Sequence, residues 1–378
     1  MSIRLPVFAA LIVAACGHPS TTVQPAPHIA KPWADSSANG PEAEIYRTWV
    51  RYLGSIAGHF GTGAWQPSPY WLASEQRRWH VYNLAMAYMP DSATPEVLSI
   101  DAASKDEYRV ITRFTEDSAT SPMGAPVVRM TVFAVRDQGR WVFANELPRL
   151  TRSWRREAVR GLTYVMEPGY PFDRTRAERA ATFVDSLATA FGVPRLTSFT
   201  YYLTTSSEEI YRIMGLETAI KWGPVGGVAQ PTNHQLFSGN PAVGEDYRHE
   251  LAHMVLLPLM GNTLYFVSEG VPTWVGGTSG MDFKAAAREF AGFLVEHPSV
   301  TLDSILDGAF PPRRFYPAAA VFADMANEEG GVAAVKALYD SGEDFRKSME
   351  RLFEKPWEQI AADWRSRALS FAGTPNSP

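Results

Sequence analysis

The sequence predicts an α+β protein in two domains, and three observations predict it. From Pro41 to Glu157, helical spacing comes first and strand alternation follows. From residue 158, short strand-like runs come first. Beyond about Asp282 almost every segment repeats its apolar residues at three and four positions, the period of a half-buried helix. The chain's 378 residues exceed one small domain and are enough for two good-sized cores. The expected boundaries are 1–15 for a signal peptide, 16–40 for a lipidated tether, 41–157 for the first domain and 158–378 for the second.

Arg4 precedes an apolar run of eleven residues, "LPVFAALIVAA", too short to span a bilayer and of the length of a signal-peptide core. The run ends in "VAAC", and Cys16 is the sole cysteine, so no intrachain disulfide is possible. This stretch resembles the lipobox of bacterial lipoproteins. That resemblance implies acylation of Cys16 and a membrane anchor at the cell envelope. Gly17 stands where an aspartate would signal inner-membrane retention, so the outer membrane is the expected destination in a Gram-negative cell. Residues 17–40 are rich in Pro, Ser, Thr and Ala without apolar period and read as a flexible tether.

Apolar residues make up 46% of the chain and aromatics 12%, which excludes a disordered chain. The net charge is −5 with both signs interspersed, and no basic tract grips a phosphate backbone, which excludes nucleic acid as the expected partner. The nearest approach, "RSWRRE" at Arg152–Glu157, reads as a solvated linker or helix face.

In the first domain "PEAEIYRTWVRYLGSI" and "SEQRRWHVYNLAMAYM" carry helical spacing; in the latter Trp79, Tyr82 and Met86 recur at three and four. Strands are expected at "EVLSI", "EYRVITRFTE" and "VVRMTVFAVRDQGRWVFAN", the last a hairpin turning at Asp137–Gly139. The element order resembles the cone-shaped fold of nuclear transport factor-like domains. His59 and His80 lack a second ligand at metal spacing and read as structural or surface residues.

In the second domain "LTYVME" and "LTSFTYYLT" read as strands. Between them lies an amphipathic helix capped by Asp173 and closed by Gly192, with Ala177, Ala180, Val184, Leu187 and Phe191 on one face. Ser206 and Glu209 have the spacing of a capping box. "GGVAQPTNHQLFSG" reads as extended chain with turns, and helices follow the motif described next.

That motif is "RHELAH". His249 and His253, four apart on a helix, lie one above the other, with Cβ atoms roughly 5–6 Å apart, and can take two corners of a zinc tetrahedron. Glu250 lies about 100° round the helix, where a general base must stand. H-E-x-x-H is the zinc-hydrolase helix. Glu269, 16 positions after His253, is the candidate third ligand.

H-E-x-x-H followed by "VSEGVPTW" resembles the gluzincin metallopeptidases, the thermolysin-like clan, and its bacterial peptidase MA-like members above all. The resemblance covers roughly Gly161 to the C-terminus. It implies a two-lobed zincin domain with a mostly helical C-terminal lobe. It also implies Zn2+ held by His249, His253 and Glu269, Glu250 as general base, and a peptide or protein substrate. Where family members often carry a carboxylate four residues past the glutamate ligand, this chain has Thr273, which supports a histidine only weakly. Pro272 is expected to start the second helix near Ser268 or to kink it. Tyr316, opening the helix "FYPAAAVFADM", is the expected oxyanion donor, with Arg313 and Arg314 as substitutes. His234 is an expected substrate contact on an edge strand. The alternative to a peptidase is a catalytically inactive envelope lipoprotein that keeps the domain for binding or assembly.

Overall fold

The computed structural model describes residues 39–115, 127–217, 226–261, 263–308, 310–342 and 344–373. Cys16, the signal segment and most of the tether lie outside them. The chain is mixed α and β, with an antiparallel sheet and a helical C-terminal part, in two compact units.

The first unit opens with α1 (Pro41–Ser55). Pro41 pre-sets the first turn, Glu42 and Glu44 face the positive end of the helix dipole, and Ile45, Trp49, Tyr52 and Leu53 form the buried stripe. Strands β1 (Thr94–Ser104), β2 (Glu107–Thr115), β3 (Val127–Asp137) and β4 (Arg140–Ala144) follow in antiparallel order. The Trp49 Nε1–H donates to Thr112 Oγ1 at 2.8 Å, pinning α1 to β2. The expected hairpin is β3–β4. Gln138 and Gly139 both take positive φ, 50° and 80°, as a two-residue turn matched to strand twist requires.

The helix expected across "SEQRRWHVYNLAMAYM" is a correction. Helix α3 (Ala73–Arg78), which follows the short α2 (Phe60–Gly63), stops at Trp79, whose backbone is extended. Beyond it Trp79, Val81, Tyr82, Leu84, Ala85 and Met86 are all buried, so no single helical face could serve them. The Asn145 side chain replaces the helical bonds. It accepts from Leu84 N at 2.9 Å and donates to the Tyr82 carbonyl. A short helix, α4 (Leu147–Leu150), ends the segment.

The second unit carries β5 (Arg155–Val159), β6 (Leu162–Met166), α5 (Arg174–Phe191) and β7 (Phe199–Leu203). Asp173 caps α5 by accepting from Thr175 N and Arg176 N. Gly192 closes it at φ 57°, and the expected apolar face is buried. The chain then leaves this unit. Helix α6 (Ser207–Ile213) and β8 (Leu216–Glu217) belong to the first unit, where β8 pairs with Arg129–Met130 of β3. Only half of the capping box forms. Ser206 Oγ accepts from Glu209 N at 3.2 Å, while the Glu209 carboxylate binds Arg212 instead.

The chain resumes in the second unit with β9 (Gly227–Gln230) and β10 (Gln235–Ser238). The sheet order is β5-β6-β7-β10-β9, with β6, β7 and β10 parallel and β9 antiparallel at the edge. Helices complete the unit: α7 (Arg248–Leu256), α8 (Tyr265–Gly276), α9 (Phe283–Glu296), α10 (Leu302–Leu306), α11 (Pro312–Tyr339), α12 (Phe345–Phe353) and α13 (Trp357–Ser370). One buried core joins sheet and helices.

Helix α8 begins at Tyr265 rather than near Ser268, and Pro272 lies inside it. Helix α11 begins at Pro312, so Tyr316 lies on its second turn rather than opening it, and its helical geometry breaks at Gly330–Gly331. Glycine lets α8 pass close to its neighbours. A Cβ on Gly270 would stand 2.7 Å from the Ala319 carbonyl oxygen of α11, and one on Gly276 would stand 2.6 Å from His249 N of α7. Among the described residues no helix is long and apolar enough to cross a membrane.

Candidate metal centre and active site

Helix α7 is anchored at its start by Tyr201, whose hydroxyl donates to the Gly244 carbonyl at 2.6 Å. Leu251, Ala252, Met254 and Val255 bury it in the core. His249 is 4% exposed and Glu269 8%. The turn after α8 brings the Gly277 carbonyl to 3.1 Å from His249 Nδ1, with Thr273 Oγ1 at 3.4 Å from the same nitrogen. A carbonyl can only accept, so Nδ1 carries the proton of the neutral ring and Nε2 presents a lone pair. The second support of the histidine is therefore a backbone carbonyl, with Thr273 beside it.

That Nε2 lies 3.2 Å from Glu269 Oε2 and 3.2 Å from His253 Nε2, and His253 Nε2 lies 3.5 Å from the same carboxylate oxygen. The three atoms are close enough to share either a proton or a cation among them. Ligands about 2.0–2.1 Å from a tetrahedral ion are about 3.3–3.4 Å apart, so the three edges match such a site. His249, His253 and Glu269 could hold a metal ion.

In the metal-free cluster the carboxylate and the imidazoles are strongly coupled. Burial raises the Glu269 carboxyl, but His253 and His249 outweigh it and hold the group well below the ordinary carboxylate range. Burial lowers the His253 imidazole, but the charge and hydrogen bond of Glu269, with Glu250 behind, raise it above its usual value.

Glu250 is 9% exposed, and its carboxylate makes no hydrogen bond or ion pair among the described residues. Its charge acts on His253, Tyr247, Tyr265 and Tyr316. The Tyr316 ring stacks on His249, centroids 5.6 Å apart and planes 14° apart, and its hydroxyl lies 3.2 Å from that of Tyr265. Burial, then the Glu269 charge, pushes the Tyr265 phenol up to about 12 and raises Tyr316 further. Both phenols keep their protons at neutral pH.

The structure thus gathers His249, Glu250, His253, Glu269 and Tyr316. His234 stands elsewhere. It occupies the turn between β9 and β10 at φ 53°, exposed, with Nδ1 3.2 Å from the Ser198 carbonyl. Arg313 binds Glu289, and Arg314 pairs with the same carboxylate at 3.7 Å while covering the Phe293 ring. Neither is bonded to the cluster.

Sequence reasoning missed Tyr265. Its signal was present: Tyr265, Glu269 and Thr273 recur every four residues on one helix and so share a face. Compared with protein-family models and with curated proteins, the chain matches none.

Proposed function

We propose that the second unit is a zinc-dependent peptidase of the gluzincin, thermolysin-like design, carried at the cell envelope on a lipidated Cys16. The observation that carries this reading is the convergence of three ligand-type atoms at tetrahedral spacing beside a buried carboxylate that has no hydrogen bond or ion pair among the described residues. Two imidazoles and one carboxylate are the donor set of catalytic zinc, which leaves a fourth position open. A zinc ion, when bound, supplies a Lewis acid that polarises a carbonyl and acidifies water.

The chain's own residues do the rest. His249, His253 and Glu269 hold the ion, and the Gly277 carbonyl fixes the tautomer that leaves His249 Nε2 free to bind it. Glu250 takes the proton of the attacking water and returns it to the leaving amine. Tyr316 donates a hydrogen bond to the developing oxyanion, and its stacking on His249 holds the ring beside the metal ligands.

Elemental analysis of the purified full chain should find one zinc per molecule, and a broad peptide library should be cleaved. Glu250→Gln should keep the metal and lose about 10²–10⁴-fold in rate. Absence of any transition metal after metal-replete refolding would sink the site. Full activity in the Gln variant would sink the mechanism. Zinc without hydrolysis would favour a binding role.

A further inference from the structure

The first unit holds an open, solvent-facing cleft of ≈ 580 Å³ that the proposed peptidase does not use; Arg77, Arg78 and Arg152 are exposed along it. Ser74, Arg77 and Arg78 line one side, at the i, i+3, i+4 spacing that puts them on one face of α3. Pro148 and Arg149 of α4 line the other, joined by Arg152 just past its end. Four guanidiniums thus face one carboxylate, that of Glu75.

Glu75 is already engaged. It is buried, accepts from Asn145 N at 2.9 Å and Asn145 Nδ2 at 2.5 Å, and stands 3.7 Å from Arg149. Arg149 is drawn further away by Glu107. Arg77, Arg78 and Arg152 make no hydrogen bond or salt bridge among the described residues.

We propose that this cavity binds a phosphoryl anion. A carboxylate offers two acceptor oxygens and one charge, which a single guanidinium neutralises. Three exposed guanidiniums with no protein partner among the described residues, converging on one cleft, suit a ligand with more oxygens and at least two charges. A phosphate ester or diphosphate has both, and arginine is the residue that matches phosphate with paired donors. The cleft is open to solvent, so the body that carries a phosphate can extend out of it. Leu72 and Pro148 give that body an apolar wall. A soluble phosphate ester and the headgroup of an anionic lipid share this chemistry. The site is independent of the peptidase reading.

The test is calorimetric titration of the full chain with inorganic pyrophosphate. Sedimentation of the same chain produced without acylation, so that no anchor binds vesicles by itself, with phosphatidylcholine vesicles, plain or doped with phosphatidic acid, runs beside it. The variants are Arg78→Gln, Arg152→Gln and, as a charge-matched control on the exposed face of α1, Arg51→Gln. Saturable 1:1 binding of pyrophosphate, weakened about tenfold or more by either cavity variant and unchanged in the control, supports the proposal. Phosphatidic-acid-dependent sedimentation lost in the same two variants supports it too and assigns a lipid source, whereas pyrophosphate binding alone assigns a soluble one. Near-ultraviolet circular dichroism checks that the variants fold. No saturable binding in either arm overturns the proposal, as does equal weakening by Arg51→Gln. Tighter binding of hexa-aspartate than of pyrophosphate through the same arginines overturns the phosphoryl assignment.

Discussion

Replacing Gly270 with alanine should disturb both stability and metal binding, because α8 carries Glu269 past α11 on the absence of one methyl group. The added Cβ would lie 2.7 Å from the Ala319 carbonyl oxygen and 2.8 Å from its carbonyl carbon and Cβ, where ordinary contact begins at 3.4 Å. The helices must part by about 0.7 Å at this crossing, and the obstacle is largely backbone, which cannot rotate away. Overpacking of this kind costs about 1–3 kcal/mol. In a unit of this size each kcal/mol moves the melting temperature by about 2–4 °C, so the drop should be about 2–12 °C. The neighbouring ligand moves with the helix, and a metal site tolerates only about 0.2 Å. Zinc affinity should therefore fall about tenfold or more. Gly292→Ala is the control, since its Cβ would meet nothing within 4 Å on α9. There alanine should stabilise by about 0.4–1 kcal/mol. Thermal denaturation by circular dichroism and zinc titration against a chromophoric chelator measure both. A Gly270→Ala protein that melts with the control and keeps its zinc affinity would refute the close-crossing argument.

Tyr316→Phe removes one donor and keeps the ring that stacks on His249, so kcat should fall about 10²–10³-fold with zinc retained. An unchanged kcat would move the oxyanion role elsewhere. Glu146 is buried with one oxygen unpartnered. Burial, then the Glu217 charge, pushes its carboxyl up to about 7 against the opposing arginines 212, 109 and 149. The folded state then binds the proton more tightly than the unfolded one. This group's contribution is complete below about 4.5 and declines as pH rises towards 7. Glu146→Gln should flatten the fall in melting temperature across that window, and an unaltered profile would count against the assignment. Cys16→Ser should release the protein from the membrane fraction or leave its signal uncleaved; normal processing and fractionation would rule out the lipid anchor.

The part of the site that sequence revealed is the part set by helical period. His249 and His253 are neighbours on any helix, and Glu269 stood out as a lone carboxylate in apolar sequence. The Gly277 carbonyl could not be read in advance, because it depends on how closely α8 passes α7, and Gly276 records that closeness only as a missing side chain. His234 was expected on a strand and instead takes the left-handed turn residue beside it, where its ring answers to Ser198. The first domain's strands declared themselves by alternation and by the turn at Gln138–Gly139. The stretch after Arg78 misled because its apolar residues are buried on every side, so that spacing carried no information about helix. Leu216 and Glu217 were unreadable as a strand, since two residues have no period.

The return of α6 and β8 to the first unit affects how this protein must be made. Ile210, Ile213, Met214 and Leu216 are buried, and the Gly215 carbonyl accepts from Thr131 N at 2.7 Å, so the first unit lacks part of its core and one sheet edge until residue 217 is available. On the ribosome β5, β6, α5 and β7 emerge before that piece does, and the first unit must wait for it. Cutting the gene near residue 155 yields neither half intact: one fragment exposes the uncovered edge of β3, and the other carries an amphipathic helix and a strand with nothing to pair.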